Sequence, residues 1–161
     1  MATTRQVILV TGSAGYLGTA LVQALASDYQ VVGFDRTPPQ EHQPTRSDFI
    51  ECDLTQEESV RDALSTLRGR HGDQVTSCVH LAAHYDFSGE PSPLYRTLTV
   101  EGTRRLLRGL QDFTVEQFVF SSTHIVMKPA EEGDVITESS PVDPGLGLSE
   151  VQARGRTGHP Q

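Results

Sequence analysis

The residues best suited to chemistry lie near the start of the chain, in Val7-Ile8-Leu9-Val10-Thr11-Gly12-Ser13-Ala14-Gly15-Tyr16-Leu17-Gly18. The apolar run reads as a buried parallel strand, and the glycines at spacing G-x-x-G-x-x-G mark a turn from that strand into a helix. With no Cβ at Gly12 and Gly15, a phosphate group can approach main-chain N–H groups. A helix opening near Tyr16 aims its unsatisfied N–H groups and the positive end of its dipole at the same spot. Gly12, Ser13, Ala14, Gly15, Tyr16, Leu17 and Gly18 are therefore the candidate cradle for a dinucleotide pyrophosphate.

A second group falls where that chemistry needs it. The strand pattern Gln30-Val31-Val32-Gly33-Phe34 ends in Asp35, close to the offset at which an acidic side chain accepts hydrogen bonds from a ribose diol. Asp35 repels a 2′-phosphate, which favours NAD. Arg36 beside it is able to bind that phosphate and keeps NADP open. No Lys-Ser or Lys-Thr follows Gly18, so the pattern is not that of a nucleoside-triphosphatase loop. The alternative is a glycine turn in a strand–helix unit that binds nothing.

The elements that must position these groups come in order along the chain. Tyr16 to Ala26 carries Leu17, Ala20, Leu21, Ala24 and Leu25 at helical spacing, one apolar face to lay on a sheet. Thr37 to Ser47, polar and holding Pro38, Pro39 and Pro44, predicts an exposed loop at the adenosine end of the cofactor. Phe49-Ile50-Glu51-Cys52 predicts a short third strand, and Asp53-Leu54-Thr55 a helix start with Thr55 as cap ahead of Glu57 and Glu58. Asp53 is either an ordinary loop carboxylate or a neighbour of an adenine ring. Val75 to Leu81 predicts a fourth strand running into Ala82-Ala83, two small residues that either give the cofactor clearance or allow tight helix–sheet packing. His84-Tyr85-Asp86-Phe87-Ser88-Gly89-Glu90-Pro91 is expected as a substrate-side loop at the C-terminal end of the sheet. Leu94 to Leu110 predicts a helix with Leu98, Leu106, Leu107 and Leu110 inward, and Gln117-Phe118-Val119-Phe120 a fifth strand ending in Ser121-Ser122-Thr123. Strands alternating with helices imply an α/β fold, a doubly wound parallel sheet in the order 3-2-1-4-5.

Composition narrows the function classes. A chain of 161 residues is about one domain. Its formal charge of −8 and lack of a basic cluster argue against a nucleic-acid surface. No apolar run approaches the ~20 residues of a membrane span, and no charged-then-apolar leader is visible, so no membrane association and a cytoplasmic location are expected. Cys52 and Cys78 read as small buried hydrophobes. His80 and His84 straddle a strand end and bring no third ligand, so no metal site is expected.

Taken together, the motifs resemble the extended short-chain dehydrogenase/reductase family, the NAD-dependent epimerase/dehydratase group, over roughly residues 5 to 145. Thr11 to Gly18 resembles its T-G-x-x-G-x-x-G fingerprint, Asp35 its ribose acid, and Asp53-Leu54 its adenine-side pair. His80-Leu81-Ala82-Ala83 resembles its H-x-A-A strand end, and Val100-Glu101-Gly102-Thr103 its N-V-x-G-T, with Thr99 where an asparagine is usual. Phe120-Ser121-Ser122-Thr123 resembles the strand end that carries the catalytic hydroxyl. The resemblance implies a Rossmann-type NAD(P)-binding domain over residues 1–145, with Leu81, Ala82 and Ala83 among the cofactor contacts. It implies hydride transfer at a hydroxyl or carbonyl carbon of a nucleotide sugar or sterol-like substrate, and a homodimer among full-length members. Thr123 would orient the substrate oxygen, with Ser122 as the alternative.

The family's tyrosine and its lysine four residues later, which lowers the tyrosine pKa by charge, have no counterpart here. The single lysine, Lys128, has His124 four residues before it. From Leu146 to Gln161 helix and strand patterns disappear. Codons permitted by those residues, read one base later, encode W-A-Y-P-K-S-K-L-E-A-E-R-V-I-R, which contains Y-x-x-x-K. Glu150 before Val151, and Gln152 before Ala153, yield only Lys or Arg in that frame. The expectation is an out-of-frame tail over 146–161, a sheet incomplete at its C-terminal edge, and an oxidoreductase truncated before its proton-transfer pair. The competing expectation is a non-catalytic module that binds NAD(H) or docks on a partner.

Overall fold

The computed structural model describes residues 6–39, 44, 47–85, 92–123, 126–128 and 133–142. Strands β1 (Val7–Thr11), β2 (Gln30–Asp35), β3 (Ser47–Glu51), β4 (Gln74–His80) and β5 (Thr114–Phe120) form one parallel sheet in the order β3-β2-β1-β4-β5. This is the predicted strand order and an open doubly wound sheet. The register aligns the strand tips, with Thr11 opposite both Phe34 and His80, Asp35 opposite Glu51, and His80 opposite Phe120. The segments leaving the strands at Gly12, Arg36, Cys52, Leu81 and Ser121 therefore gather along one edge.

Side chains of β1 alternate between two buried faces. Ile8 and Val10 pack with Val31 against Val22 and Ala26 of helix α1 (Tyr16–Leu25) and its end. Leu9, with Val32 and Phe34, packs on the other face against Val60, Leu64 and Leu67 of helix α2 (Glu57–His71) and Leu106 of helix α3 (Glu101–Gly109). Each such aliphatic side chain removed from water contributes roughly 1.5–3 kcal/mol. Helix α2 is also matched to its dipole, with Glu57 and Glu58 in the first turn and Arg68, Arg70 and His71 in the last.

Four local expectations are corrected. The sheet-facing side of α1 is Gly18 and Val22 with Leu21 and Leu25 half-buried, whereas Leu17, Ala20 and Ala24 of the expected face are exposed. Strand β3 starts at Ser47, two residues before the predicted Phe49, because pairing with β2 extends back through Val31 opposite Ser47. Thr55 does not cap α2. Gln56 holds that position, while Asp53 Oδ1 accepts the Thr55 N–H at 2.9 Å and its hydroxyl at 2.7 Å in a tight turn ahead of the helix. The single helix predicted over Leu94–Leu110 is a π-helical turn at Tyr95–Val100, then α3, then a short 3-10 turn at Leu110–Asp112. The wider turn shifts the phase of α3, so Leu106 and Leu110 are buried while Leu107 is 44% exposed rather than inward. Of the predicted substrate-side loop, residues 86–91 lie outside the described residues, as does the tail 146–161. Among the described residues no helix is long and apolar enough to cross a membrane.

Candidate functional site

The glycine turn is built by the end of β1. Gly12 has φ +71°, and a Cβ there would lie 2.9 Å from the main-chain nitrogen of Ala82. The N–H groups of Gly12 and Ser13 donate to the Phe34 carbonyl at 2.8 and 3.3 Å, which ties the turn to β2. Gly18 is buried so closely on the Gly12 carbonyl that a Cβ would overlap it. Helix α1 has Gly15 as its cap, no capping side chain and no acidic residue in its first turn. The first-turn N–H groups of Tyr16, Leu17 and Gly18 thus have no intrahelical acceptor, and the positive end of the dipole has no internal countercharge there.

The Asp35 carboxylate is held from two sides. Its Oδ2 accepts the Ala14 N–H at 3.1 Å, and Oδ1 accepts the N–H and hydroxyl of Thr37 at 3.3 and 3.4 Å. Gly12, Gly15, Asp35, Arg36, Asp53, Leu54, Leu81, Ala82 and Ala83 line one groove of about 250 Å³ along the strand tips, together with Phe34, Cys52, Thr55 and Leu98. Burial pushes the Cys52 thiol up to about 12, and the carboxylates of Asp53 and Asp35 push in the same direction.

The other expected cradle residues take different places. Ser13 is buried under the turn against Gly33, its hydroxyl without a hydrogen-bond partner. Ala14 gives its amide to Asp35. Tyr16 and Leu17 do not line the groove, and their side chains are 92% and 64% exposed. Thr123 and Ser122 lie apart from the groove, in an open cleft of about 580 Å³ with Phe120, Ser121, Met127, Ile136, Thr137 and Glu138. Phe34, Cys52, Thr55 and Leu98 line the groove without being marked as groove residues by the sequence motifs. Leu98 carries the same apolar signal as a core leucine, and the π-helical turn that brings it to the groove has no such signature. His84 donates its N–H to Thr99 Oγ1 at 3.0 Å and sets its ring edge-on to Tyr95, with centroids 4.7 Å apart. Among the described residues no cluster of His, Cys, Asp and Glu is arranged to hold a metal ion.

The glycine turn, the anchored acid on the adjacent strand tip and the groove between them bring main-chain N–H donors and a carboxylate to one place. A family model described as "NAD dependent epimerase/dehydratase family" matches residues 8–146. The chain belongs to this family. This epimerase/dehydratase-family chain is 27% identical over 116 residues to the N-acetyl-alpha-D-glucosaminyl-diphospho-ditrans,octacis-undecaprenol 4-epimerase of Escherichia coli O157:H7, covering 72% of the chain and 32% of that protein. It is 26% identical over 133 residues to the decarboxylating sterol-4-alpha-carboxylate 3-dehydrogenase of Candida albicans, covering 76% of the chain and 36% of that protein. The solved UDP-glucose 4-epimerase of Thermus thermophilus in complex with NAD superimposes with a TM-score of 0.80 at 28% identity, covering 94% of the chain and 49% of that one. The family member described here therefore spans about a third of the length of these curated relatives and about half of that solved chain.

Proposed function

We propose that the groove binds NAD(H) and that the chain is the nucleotide-binding part of an epimerase/dehydratase-type oxidoreductase. One observation carries the reading: Gly12, Gly15 and Asp35 meet on a single groove, with the Asp35 carboxylate already anchored by the glycine turn. The unpaired first-turn N–H groups of α1 take the pyrophosphate. Asp35 accepts the ribose hydroxyls, for which the long contacts from Thr37 to Oδ1 exchange readily. Asp53 and Leu54, with Thr55 and Leu98, flank the adenine, while Leu81, Ala82 and Ala83 give the dinucleotide clearance at the tip of β4. Arg36 leaves NADP as a weaker second cofactor.

When bound, the nicotinamide supplies or accepts a hydride at its C4. Thr123, with Ser122 as the alternative, orients the substrate oxygen from the cleft at the tip of β5. The substrate class is a hydroxyl or carbonyl compound of the nucleotide-sugar or sterol-like kind, supported by the sugar epimerases and sterol dehydrogenases among the relatives. A cytoplasmic location and, for a full-length member, a homodimer go with this reading. Residues 146–161 are read as out-of-frame because helix and strand patterns stop there and the permitted codons, read one base later, restore Y-x-x-x-K. Sequencing the gene tests that point, and codons that do not encode the shifted W-A-Y-P-K-S-K peptide dismiss it.

The direct test of function is calorimetric titration with NAD and NADH. Binding of both, with NADP weaker, is the expected result. A folded chain that ignores all of them at millimolar concentration ends the proposal.

A further inference from the structure

We infer that His80 and Thr103 are positioning residues for the dinucleotide groove, acting through a buried hydrogen-bond relay whose direction is fixed from end to end. His80, the last residue of β4, and Thr11, opposite it on β1, are both 0% exposed. Thr103 Oγ1 lies 2.6 Å from the carbonyl oxygen of Thr99, which only accepts, so the hydroxyl donates there. The same Oγ1 lies 2.8 Å from His80 Nε2 and, with its proton already committed, accepts from it. Nε2 therefore carries the ring proton. Nδ1 is then bare and accepts the Thr11 hydroxyl at 2.6 Å. Thr11 Oγ1 in turn accepts the Ala82 N–H at 3.3 Å.

Every donor and acceptor in this run is matched by one tautomer of a neutral imidazole. A doubly protonated ring would confront Thr11 Oγ1 with two incoming N–H groups and leave its own proton unplaced in a site closed to water. One end of the run lines the groove and the other lies beside its wall. Ala82 lines it, and its nitrogen is the atom that a Cβ on Gly12 would strike. Thr99 sits in the π-helical turn next to Leu98, the apolar wall of the groove, and its hydroxyl accepts the His84 N–H at 3.0 Å. The turn lies outside the main-chain ladder of the sheet, so this side-chain run pins it to the strand tips and fixes the distance between Leu98 and Ala82.

The inference rests on the NAD(H) reading, and its test separates the two. Thr103→Val removes both the acceptor for Nε2 and the donor to Thr99, whereas Thr103→Ser keeps them. Nitrogen-15 NMR of the wild-type chain, without ligand, is expected to find the His80 ring proton on Nε2 at neutral pH, with His80→Gln used for assignment. Calorimetric titration with NADH is expected to give about ten-fold weaker binding for Thr103→Val and wild-type affinity for Thr103→Ser. A proton on Nδ1, or a folded Thr103→Val variant that binds NADH like the wild type, overturns the inference. Should Thr103→Val fail to fold, the ring tautomer of the wild type decides. A wild-type chain that ignores NADH removes the nucleotide reading and the positioning role together, while the tautomer still reports on the relay by itself.

Discussion

Asp35 and Ala14 are joined across the mouth of the groove, the carboxylate Oδ2 of one accepting the main-chain N–H of the other at 3.1 Å. The residue proposed to read the ribose is thereby also a strut of the glycine turn. Its two duties separate by substitution. Asp35→Ala is expected to weaken NAD binding about 10- to 100-fold, as for a hydrogen bond to a charged group, and to cost about 1 kcal/mol of stability. Asp35→Asn keeps an acceptor for Ala14, so it retains the stability and loses ribose affinity while improving NADP. Calorimetric titration and denaturant unfolding of the two variants measure this. Equal NAD affinity in wild type and Asp35→Ala would remove the residue from the site.

Gly12 and Gly72 share a positive φ but differ in their surroundings, which gives a paired test. Gly12, at φ +71°, faces the Ala82 backbone at 2.9 Å, an obstacle that cannot swing aside. Gly72, at φ +83°, has no heavy atom beyond its own chain neighbours within 4 Å of the place a Cβ would take. Gly72→Ala therefore suffers backbone strain alone, about 1–3 kcal/mol at a φ/ψ pair (ψ −167°) that essentially only glycine adopts, whereas Gly12→Ala adds a steric clash to its strain and is expected to cost more. Urea unfolding midpoints of the two variants make the comparison. Equal losses would show that the turn yields at Ala82.

Burial pushes the His80 imidazole down from its ordinary 6.5 to about 4. Because the folded value lies below the unfolded one, the unfolded chain takes up a proton that the folded chain refuses. The stability from the neutral ring is full above pH 6.5 and is lost progressively as the pH falls from there to about 4. The loss amounts to about 3 kcal/mol, taken from the gap between the two values. Denaturant midpoints measured across that window should slope accordingly, and the slope should flatten in His80→Gln. An unchanged slope in that variant would assign the acid sensitivity elsewhere.

Both cysteine thiols are buried, and burial pushes Cys52 and Cys78 up to about 12. The thiolate is the reactive form, so the native chain should resist a thiol-labelling reagent at neutral pH and react at both positions once unfolded. Labelling followed by mass spectrometry reads this directly. Fast modification of Cys52 in the folded chain would show that the floor of the groove opens.

Much of the fold was legible because its signals are local and repeated. Val7 to Thr11 and Gln30 to Asp35 announce buried parallel strands, and the glycine spacing with Asp35 fixes where the groove begins. The features that escaped were set by a pairing distant in sequence and by a local backbone geometry that leaves no residue pattern. The start of β3 at Ser47 depends on Val31, and Leu107 turns outward because six preceding residues, Tyr95–Val100, adopt a π-helical rather than an α-helical turn. The same turn delivers Leu98 to the groove, a role that a leucine at helical spacing does not advertise. The buried hydroxyls of Thr11, Thr99 and Thr103 were visible only as motif letters until the relay through His80 gave each a direction.

Strands β1 to β5 all run the same way, so the groove along their tips lies at one end and the returning turns lie at the other. Ser27-Asp28 before β2 and Gly72-Asp73 before β4 are exposed there, a sheet's length from Gly12 and Ala82. Those two turns are the natural points for inserting a fluorescent reporter or an affinity handle, or for opening the chain into a circular permutant.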